Sequence, residues 1–323
     1  MRHARTTGLV LAALTTAITL VAPAQAAAPT VELQPDRLTR GADIAIPHIE
    51  DGDFVDGSRR VELPGNAAEV VGPSGDAWVV ATHRTNKVGE WRQRRVVRVE
   101  ADGSVREVLR DVDPSTLVLS EDGSRLVGPT TGDRRTTIRV WSAIDGTEMA
   151  ERTFSGYPAV VAADARKVLV DTTKRLAVWK VGAGRVQTVT RRGTGLASLE
   201  HDLVATYTKD PYLGGCTELV RLSDLDEVVW RSCKERVAAL SPDGTRMVTF
   251  HILTDGLGPG EIDLRTIGGR KLATYTTNWF SGWEWESPDT LLLDVNGQRK
   301  ASTVRCTLAS CENATDPVKV STP

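Results

Sequence analysis

Short apolar runs recur along this chain at a spacing of about 40 residues, and each run directly follows a polar turn. Each run is followed by a second pair of strand-like segments around another tight turn, such as Asp102-Gly103 or Gly268-Gly269. Four short strands separated by such turns form one blade of a β-propeller. The pattern therefore predicts an all-β fold, a β-propeller of four-stranded antiparallel blades. The apolar runs lie at residues 77–80, 125–127, 168–170, 203–205, 247–248 and 291–293.

A Ser-Pro-Asp-Gly turn, Ser241-Pro242-Asp243-Gly244, precedes the apolar run of the fifth unit. Partial copies stand at residues 120–123, as Ser-Glu-Asp-Gly, and at residues 287–289, as Ser-Pro-Asp. On these turns the chain resembles the TolB-like and WD-repeat-like propeller families, over about residues 67 to 316. It departs from WD repeats because it lacks their Trp-Asp and Gly-His pairs. The resemblance implies a propeller fold more firmly than any function.

The two chain ends decide how many blades close the ring. Residues 56–63 parallel residues 102–109, so residues 44–63 resemble the last two strands of a blade whose first part is missing. Residues 318–320, Val-Lys-Val, could supply a further strand. Because an open ring would leave bare strand edges, we predict seven blades with the last closed by both termini. A six-bladed ring is the alternative.

The N-terminus predicts export. Arg2 and Arg5 precede an apolar run over residues 9–21, and residues 23–26 form a small-residue cleavage site. We therefore expect a secretory signal peptide at 1–26, an N-terminal extension at 27–43 and a single propeller domain at 44–323. No later segment predicts a membrane span, so the protein should be secreted and extracellular, as a monomer. The net charge of −2 argues against a nucleic-acid partner.

Four cysteines in an exported chain predict disulfides rather than metal ligands. Cys216 and Cys233 lie symmetrically about a polar turn, where the two strands of a hairpin would place them opposite each other. Cys306 and Cys311 bracket a second short turn. Of the three possible connectivities, we predict these two local pairs.

Function is expected in the loops, since the strands are occupied with packing. In a propeller, the connections between the second and third strands of each blade emerge on the same face as those joining successive blades. Residues 82–95, 128–137, 206–215 and 251–260 predict long connections of this kind, and residues 172–174 a short one. Long loops on one face are often retained for binding, so we predict that this face is the working surface. Plain solvent-exposed connectors are the alternative.

Two groups on that surface are candidate ligand-binding residues. The first places cations beside an aromatic ring, which suits an acidic partner, although a solvated blade edge is the simpler interpretation. The second group is an aromatic pair that could stack on a ligand. The nearby Trp283 and Trp285 alternate with glutamates, which favours core packing instead. The candidates are Arg84, Trp91, Arg92, Arg94 and Arg95 in the first group, and Trp279 and Phe280 in the second.

Signals for chemistry are weak. Asp51, Asp53 and Asp56 share a glycine-containing loop, but the bidentate glutamate of a calcium loop does not follow, so a plain turn is favoured. We predict no metal, no cofactor and no catalytic residue. The sequence favours an extracellular, non-enzymatic recognition module for an unknown protein, peptide or glycan ligand. The alternative is a propeller hydrolase or lyase acting on a sugar or lactone, with a site drawn from His83, His251 and Asp255.

Overall fold

A computed structural model describes residues 27–172 and 175–320 of the chain. The predicted signal peptide at 1–26 lies outside the described residues. Seven antiparallel sheets follow one another along the chain as the blades of a β-propeller. In the described part of the chain, helix is confined to two 3₁₀ turns, Pro114–Thr116 and Pro211–Leu213. The seven-bladed all-β fold expected from the repeat is therefore confirmed.

The strands run in chain order from the centre of the ring outward within each blade. The first strand, β1 (Thr30–Glu32), precedes the blades. Blade 1 contains β2 (His48–Glu50), β3 (Asp53–Asp56) and β4 (Arg59–Val61); blade 2, β5 (Ala67–Ser74), β6 (Ala77–Thr85), β7 (Trp91–Val99) and β8 (Val105–Arg110); blade 3, β9 (Val118–Leu119), β10 (Arg125–Gly132), β11 (Arg135–Ser142) and β12 (Glu148–Ser155).

The remaining blades repeat the four-stranded pattern. Blade 4 contains β13 (Ala159–Ala163), β14 (Lys167–Thr172), β15 (Arg175–Lys180) and β16 (Arg185–Thr190); blade 5, β17 (Thr194–Ser198), β18 (Leu203–Tyr207), β19 (Thr217–Arg221) and β20 (Val228–Ser232); blade 6, β21 (Glu235–Leu240), β22 (Arg246–His251), β23 (Glu261–Thr266) and β24 (Lys271–Thr276); blade 7, β25 (Trp279–Ser287), β26 (Thr290–Asn296), β27 (Lys300–Thr307) and β28 (Ser310–Asn313), followed by β29 (Val318–Lys319).

The Ser-x-Asp-Gly turns join the first two strands of a blade through side-chain hydrogen bonds. The Ser241 hydroxyl donates to Asp243 over 2.6 Å and accepts from the backbone N–H of Arg246 over 2.9 Å. Gly244 adopts a φ of +67°, which favours glycine. The hydrogen bond from Ser241 lowers the pKa of Asp243, since it stabilises the charged carboxylate. The turn at residues 120–123 repeats the same contacts. This motif therefore stabilises the tight turn between the first two strands of a blade.

Apolar side chains hold successive blades together face to face. Six apolar clusters join blade 1 to blade 2 and each following pair up to blades 6 and 7. Among the described residues, no such cluster joins blade 7 to blade 1. The clusters include Val97 (blades 1 and 2), Leu126 (2 and 3), Val168 (3 and 4), Leu176 (4 and 5), Leu219 (5 and 6) and Leu293 (6 and 7).

Residues 30–45, which we call the strap, lie across blades 6 and 7 before the chain enters blade 1. Strand β1 pairs in parallel with β24 and adds a fifth strand to blade 6. Leu33 is fully buried in the core between blades 6 and 7. Asn313 of blade 7 donates to the carbonyls of Pro35 and Leu38, both over 2.9 Å. The predicted N-terminal extension is thus part of the packed structure.

Blade 1 and the last described strand, β29, do not share a sheet. Blade 1 has three strands where two were expected, all from residues 48–61. Strand β29 pairs with β27 of blade 7 instead, in the register Lys300↔Lys319. The reason is that β28 covers only the later residues of β27, so the open edge at Lys300 and Ala301 accepts β29. The strap links the start of the described chain to blade 7 through its own contacts.

Candidate binding site

The connections between second and third strands, and those between blades, emerge together on what we call the loop face. Two of the predicted long connections are real loops, at residues 208–216 and 252–260. The predictions of long loops at residues 82–95 and 128–137 are wrong, because the flanking strands extend there and pair as long hairpins. Strand β10 pairs with β11 as far as Gly132↔Arg135, which leaves a two-residue turn. Strands β6 and β7 leave only residues 86–90 between them.

The blade 2 hairpin carries the predicted cation and aromatic group. Trp91 is 47% exposed and stacks on His83 with 4.4 Å between ring centroids. Three of the four arginines have a carboxylate partner, which reduces their charge toward a ligand. Arg84 has no ionic partner among the described residues and is exposed. The ion pairs are Arg92 with Glu90 at 2.9 Å, Arg94 with Asp113 at 4.0 Å, and Arg95 with Glu107 at 3.4 Å.

The two residues of the second predicted group, Trp279 and Phe280, differ in how far they are buried. Trp279 is half-buried at the start of β25. Phe280 is 1% exposed and packs in the core between blades 6 and 7, so it cannot meet a ligand on the surface. Successive side chains of a strand lie on opposite sides, and that of Phe280 lies on the side of β25 that faces blade 6. Trp283, expected in the core, packs against Phe250 with 5.3 Å between ring centroids.

The loop face exposes large apolar side chains on the connections of blades 2, 3, 5 and 6. Tyr157 is 67% exposed on the connection between blades 3 and 4, and Tyr212 is 69% exposed in the loop of blade 5. Sequence reasoning missed both tyrosines. The available signal was an aromatic residue beside proline and glycine, as in Gly156-Tyr157-Pro158. The exposed set on this face is Val88, Trp91, Tyr157, Tyr212, Leu213, Leu253 and Leu257.

One of these loops is fixed at its base by a disulfide. Cys216 ends the 208–216 loop and bonds to Cys233, which precedes blade 6. Within the loop, the Asp210 carboxylate accepts from the N–H of Tyr212 over 2.9 Å, which begins the 3₁₀ turn. The Cys306–Cys311 disulfide joins β27 to β28 at the opposite face. Both predicted pairings are confirmed.

Blades 7 and 1 are separated by a polar cavity of about 490 Å³, at what we call the 7–1 seam. A cavity of this size falls in the range of small-molecule and peptide pockets. Burial raises the pKa of Glu284, and the charge of Asp294, which lines the cavity, adds to this shift, whereas His48 opposes it. The cavity is lined by Ile49, Glu50 and Asp51 of blade 1, by Ser281, Asp294, Val295, Asn296, Ala301, Ser302 and Thr303 of blade 7, and by Thr315, Asp316 and Val318.

The residues considered for a catalytic site or a calcium site do not come together in one place. His83 lies in blade 2, whereas His251 and Asp255 lie in blade 6. In the part of the chain that is described, no group of three or more His, Cys, Asp or Glu side chains is placed to hold a metal ion. Asp53 and Asp56, considered for calcium, contact arginines 60 and 59 at 3.1 and 2.5 Å.

Within residues 27–172 and 175–320, no helix has the length and apolarity needed to cross a membrane.

Comparison with known proteins supports the fold alone. No protein-family model matches this chain, and no curated protein matches it. An uncharacterised protein of Listeria monocytogenes EGD-e is similar with a TM-score of 0.50 and 14% identity, over 77% of this chain and 83% of that one. An acylaminoacyl peptidase of Pyrococcus horikoshii has a TM-score of 0.60 and 12% identity, over 82% of this chain and 47% of the peptidase. This chain therefore spans about half of that enzyme. The resemblance to TolB-like and WD-repeat-like families stays a prediction, and a seven-bladed β-propeller is what the likenesses establish.

Proposed function

We propose that this chain is an extracellular recognition module that binds a protein partner through the loop face and performs no chemistry of its own. The exposed apolar set on that face carries the proposal. Trp91, Tyr157 and Tyr212 are exposed in three separate parts of that face, in the blade 2 hairpin, the connection between blades 3 and 4 and the loop of blade 5. Aromatic side chains with this exposure are the usual anchors of protein interfaces, where they fill pockets on the partner.

The contacts that hold two of these three side chains in place support the proposal. One end of the loop that carries Tyr212 is tied by Cys216–Cys233 to the segment that follows β20, and the ring of Trp91 is stacked on His83. Anchors held in place lose less conformational freedom on binding, so more of the contact energy appears as affinity. The two disulfides also support an extracellular setting, since such bonds persist in oxidising compartments.

The test compares the two faces of the ring. The protein is immobilised and exposed to the secreted proteins of its source, and bound partners are mapped by cross-linking. Replacement of Trp91, Tyr157 and Tyr212 by serine should weaken binding of the partner at least a hundredfold, because each truncated anchor costs about 1 kcal/mol or more. The matched control is Ile144→Ser with Met149→Ser, since these side chains are 60% and 50% exposed on the opposite face.

Two outcomes would count against this function. Equal losses in the loop-face and control variants would mean that the anchors are not the interface. A parallel incubation supplies glycans in place of proteins; a glycan consumed there, or a binding signal abolished by EDTA, would favour the alternative of a hydrolase or lyase.

A further inference from the structure

The 7–1 seam differs from every other blade junction in what fills it. The side of β26 and β27 that faces blade 6 buries Leu291, Leu293 and Val304 in the core. The side that faces blade 1 carries polar groups instead, including Asp294 and Thr303, whose hydroxyl donates to Asp294 over 2.8 Å. An interface between blades that is left polar and hollow does not serve packing, since burial of apolar surface is what stabilises the other six.

Blade 1 also lacks its innermost strand. The β3–β4 turn lies beside the β7–β8 turn of blade 2, because Arg59 donates to the carbonyl of Ala101 over 2.7 Å. Strands β3 and β4 therefore correspond to the third and fourth strands of blade 2, and β2 to the second. The first strands of blades 2 to 6 contact one another around the centre, and β2 contacts β5 of blade 2 as the second strand β10 contacts the first strand of blade 4. Blade 1 offers no strand for that position among the described residues, so β2 is an open edge.

The open edge has backbone groups available for pairing. Glu50 pairs with Asp53 across the tight Asp51-Gly52 turn, whose φ values are +53° and +89°. Backbone groups of successive residues in a strand point to opposite sides, so the N–H and C=O of Ile49 point away from β3. Ile49 lines the cavity. A strand of three residues presents about 10 Å of edge, enough for a short extended segment.

The charge around this edge selects the occupant. Asp51 and Asp294 line the cavity, and neither they nor Glu284 form an ion pair among the described residues. Besides its burial, Glu284 is close enough to Asp294 and Glu69 for their charges to raise its pKa, whereas His48 of β2 lowers it, and Arg60 lies near Asp51. Glu50 and Asp316 are already paired with arginines 60 and 40. Among the described residues, carboxylates therefore outnumber cations around this strand edge, which favours lysine or arginine side chains on the segment that pairs there.

We propose that the 7–1 seam binds an extended, basic segment of a partner polypeptide, which adds to β2 as the missing innermost strand of blade 1. Backbone hydrogen bonds to the edge at Ile49 supply affinity, as in other cases of strand addition. Glu284 and Asp294 select lysine or arginine at alternate positions, because alternate side chains of a strand face the same side. This site is separate from the apolar anchors of the loop face and does not depend on them.

The test uses fluorescence anisotropy with a labelled peptide, acetyl-Lys-Val-Lys-Val-Lys-amide, and the unaltered protein. Binding should be saturable and weaken at higher salt, and the Glu-Val-Glu-Val-Glu peptide should not bind. The same lysine peptide with every backbone amide N-methylated keeps its charge but cannot donate hydrogen bonds from its backbone, and should bind at least tenfold more weakly. Equal binding of the N-methylated peptide would overturn strand addition, and failure of the lysine peptide to bind would overturn the proposal as a whole.

Protein variants locate the site. Glu284→Gln with Asp294→Asn should weaken the lysine peptide at least tenfold. The matched control, Asp76→Asn with Glu200→Gln, removes the same charge from exposed carboxylates on the opposite face and should change the affinity less than twofold. Similar losses in both would overturn the assignment to the seam.

Amide hydrogen exchange, measured on the unaltered protein with and without the lysine peptide, tests the proposal without requiring that any variant folds. Bound peptide should slow exchange at Ile49, and unchanged exchange there would contradict pairing at this edge. The anchor variants of the loop face should bind the lysine peptide normally, so failure of one proposal is distinguishable from failure of the other.

Discussion

Replacing Asn313 with alanine tests how the strap is held to blade 7. Asn313 is 1% exposed, and its amide donates to the carbonyls of Pro35 and Leu38. Its side-chain oxygen accepts from the Ser302 hydroxyl over 2.7 Å. Alanine would leave these three groups without a partner, and each costs roughly 1 to 3 kcal/mol when fully buried. Since Leu38 is only half-buried, water can replace part of the loss there. We expect the free energy of unfolding to fall by about 3 kcal/mol.

The assay is urea unfolding followed by tryptophan fluorescence and by circular dichroism, with coincident transitions required before free energies are compared. Ser302→Ala is the matched control, because it removes only the hydroxyl contact and should cost about 1 kcal/mol. Strap proteolysis should also accelerate in Asn313→Ala and not in the control. A loss no larger than that of Ser302→Ala would refute the reasoning and would place the strap's attachment elsewhere, in Leu33 or β1.

Three further predictions concern the core, a disulfide and pH. Phe280→Ala should cost about 3 to 5 kcal/mol in urea unfolding, whereas Trp279→Ala, at a half-buried position, should cost clearly less; equal costs would contradict the burial described here. Replacing Cys216 and Cys233 by serine should cost about 3 kcal/mol, because their bond closes a loop of 17 residues, and reduction of the native protein should cost more, because it also breaks Cys306–Cys311. Burial raises the pKa of Glu284, so the folded state retains a proton above the ordinary glutamate value of 4.5 that the unfolded state releases. Stability should therefore fall as pH rises through that window, and Glu284→Gln should remove this fall; a pH profile unchanged by the substitution would contradict it.

The sequence alone determined the features that depend on neighbours along the chain. The Ser241-Pro242-Asp243-Gly244 turn closes through hydrogen bonds within six residues, so its pattern reveals its structure. The period of the apolar runs predicted the blades for the same reason, since within each blade every strand pairs with the next one. Both disulfides were predictable because each joins the two strands of one hairpin.

Tertiary structure alone decided which side chains remain exposed and how the ring closes. Phe280 and Trp279 are adjacent in sequence and equally aromatic, yet only packing against blade 6 makes Phe280 part of the core. The 7–1 seam depends on residues about 250 positions apart, such as Glu50 and Asp294, and no local pattern relates them. Where β29 pairs depends on which strand edge is left open nearby, a property of the assembled sheet. Contacts between distant segments are set by the packing of the whole ring, and for that reason the 7–1 seam became visible only in the folded chain.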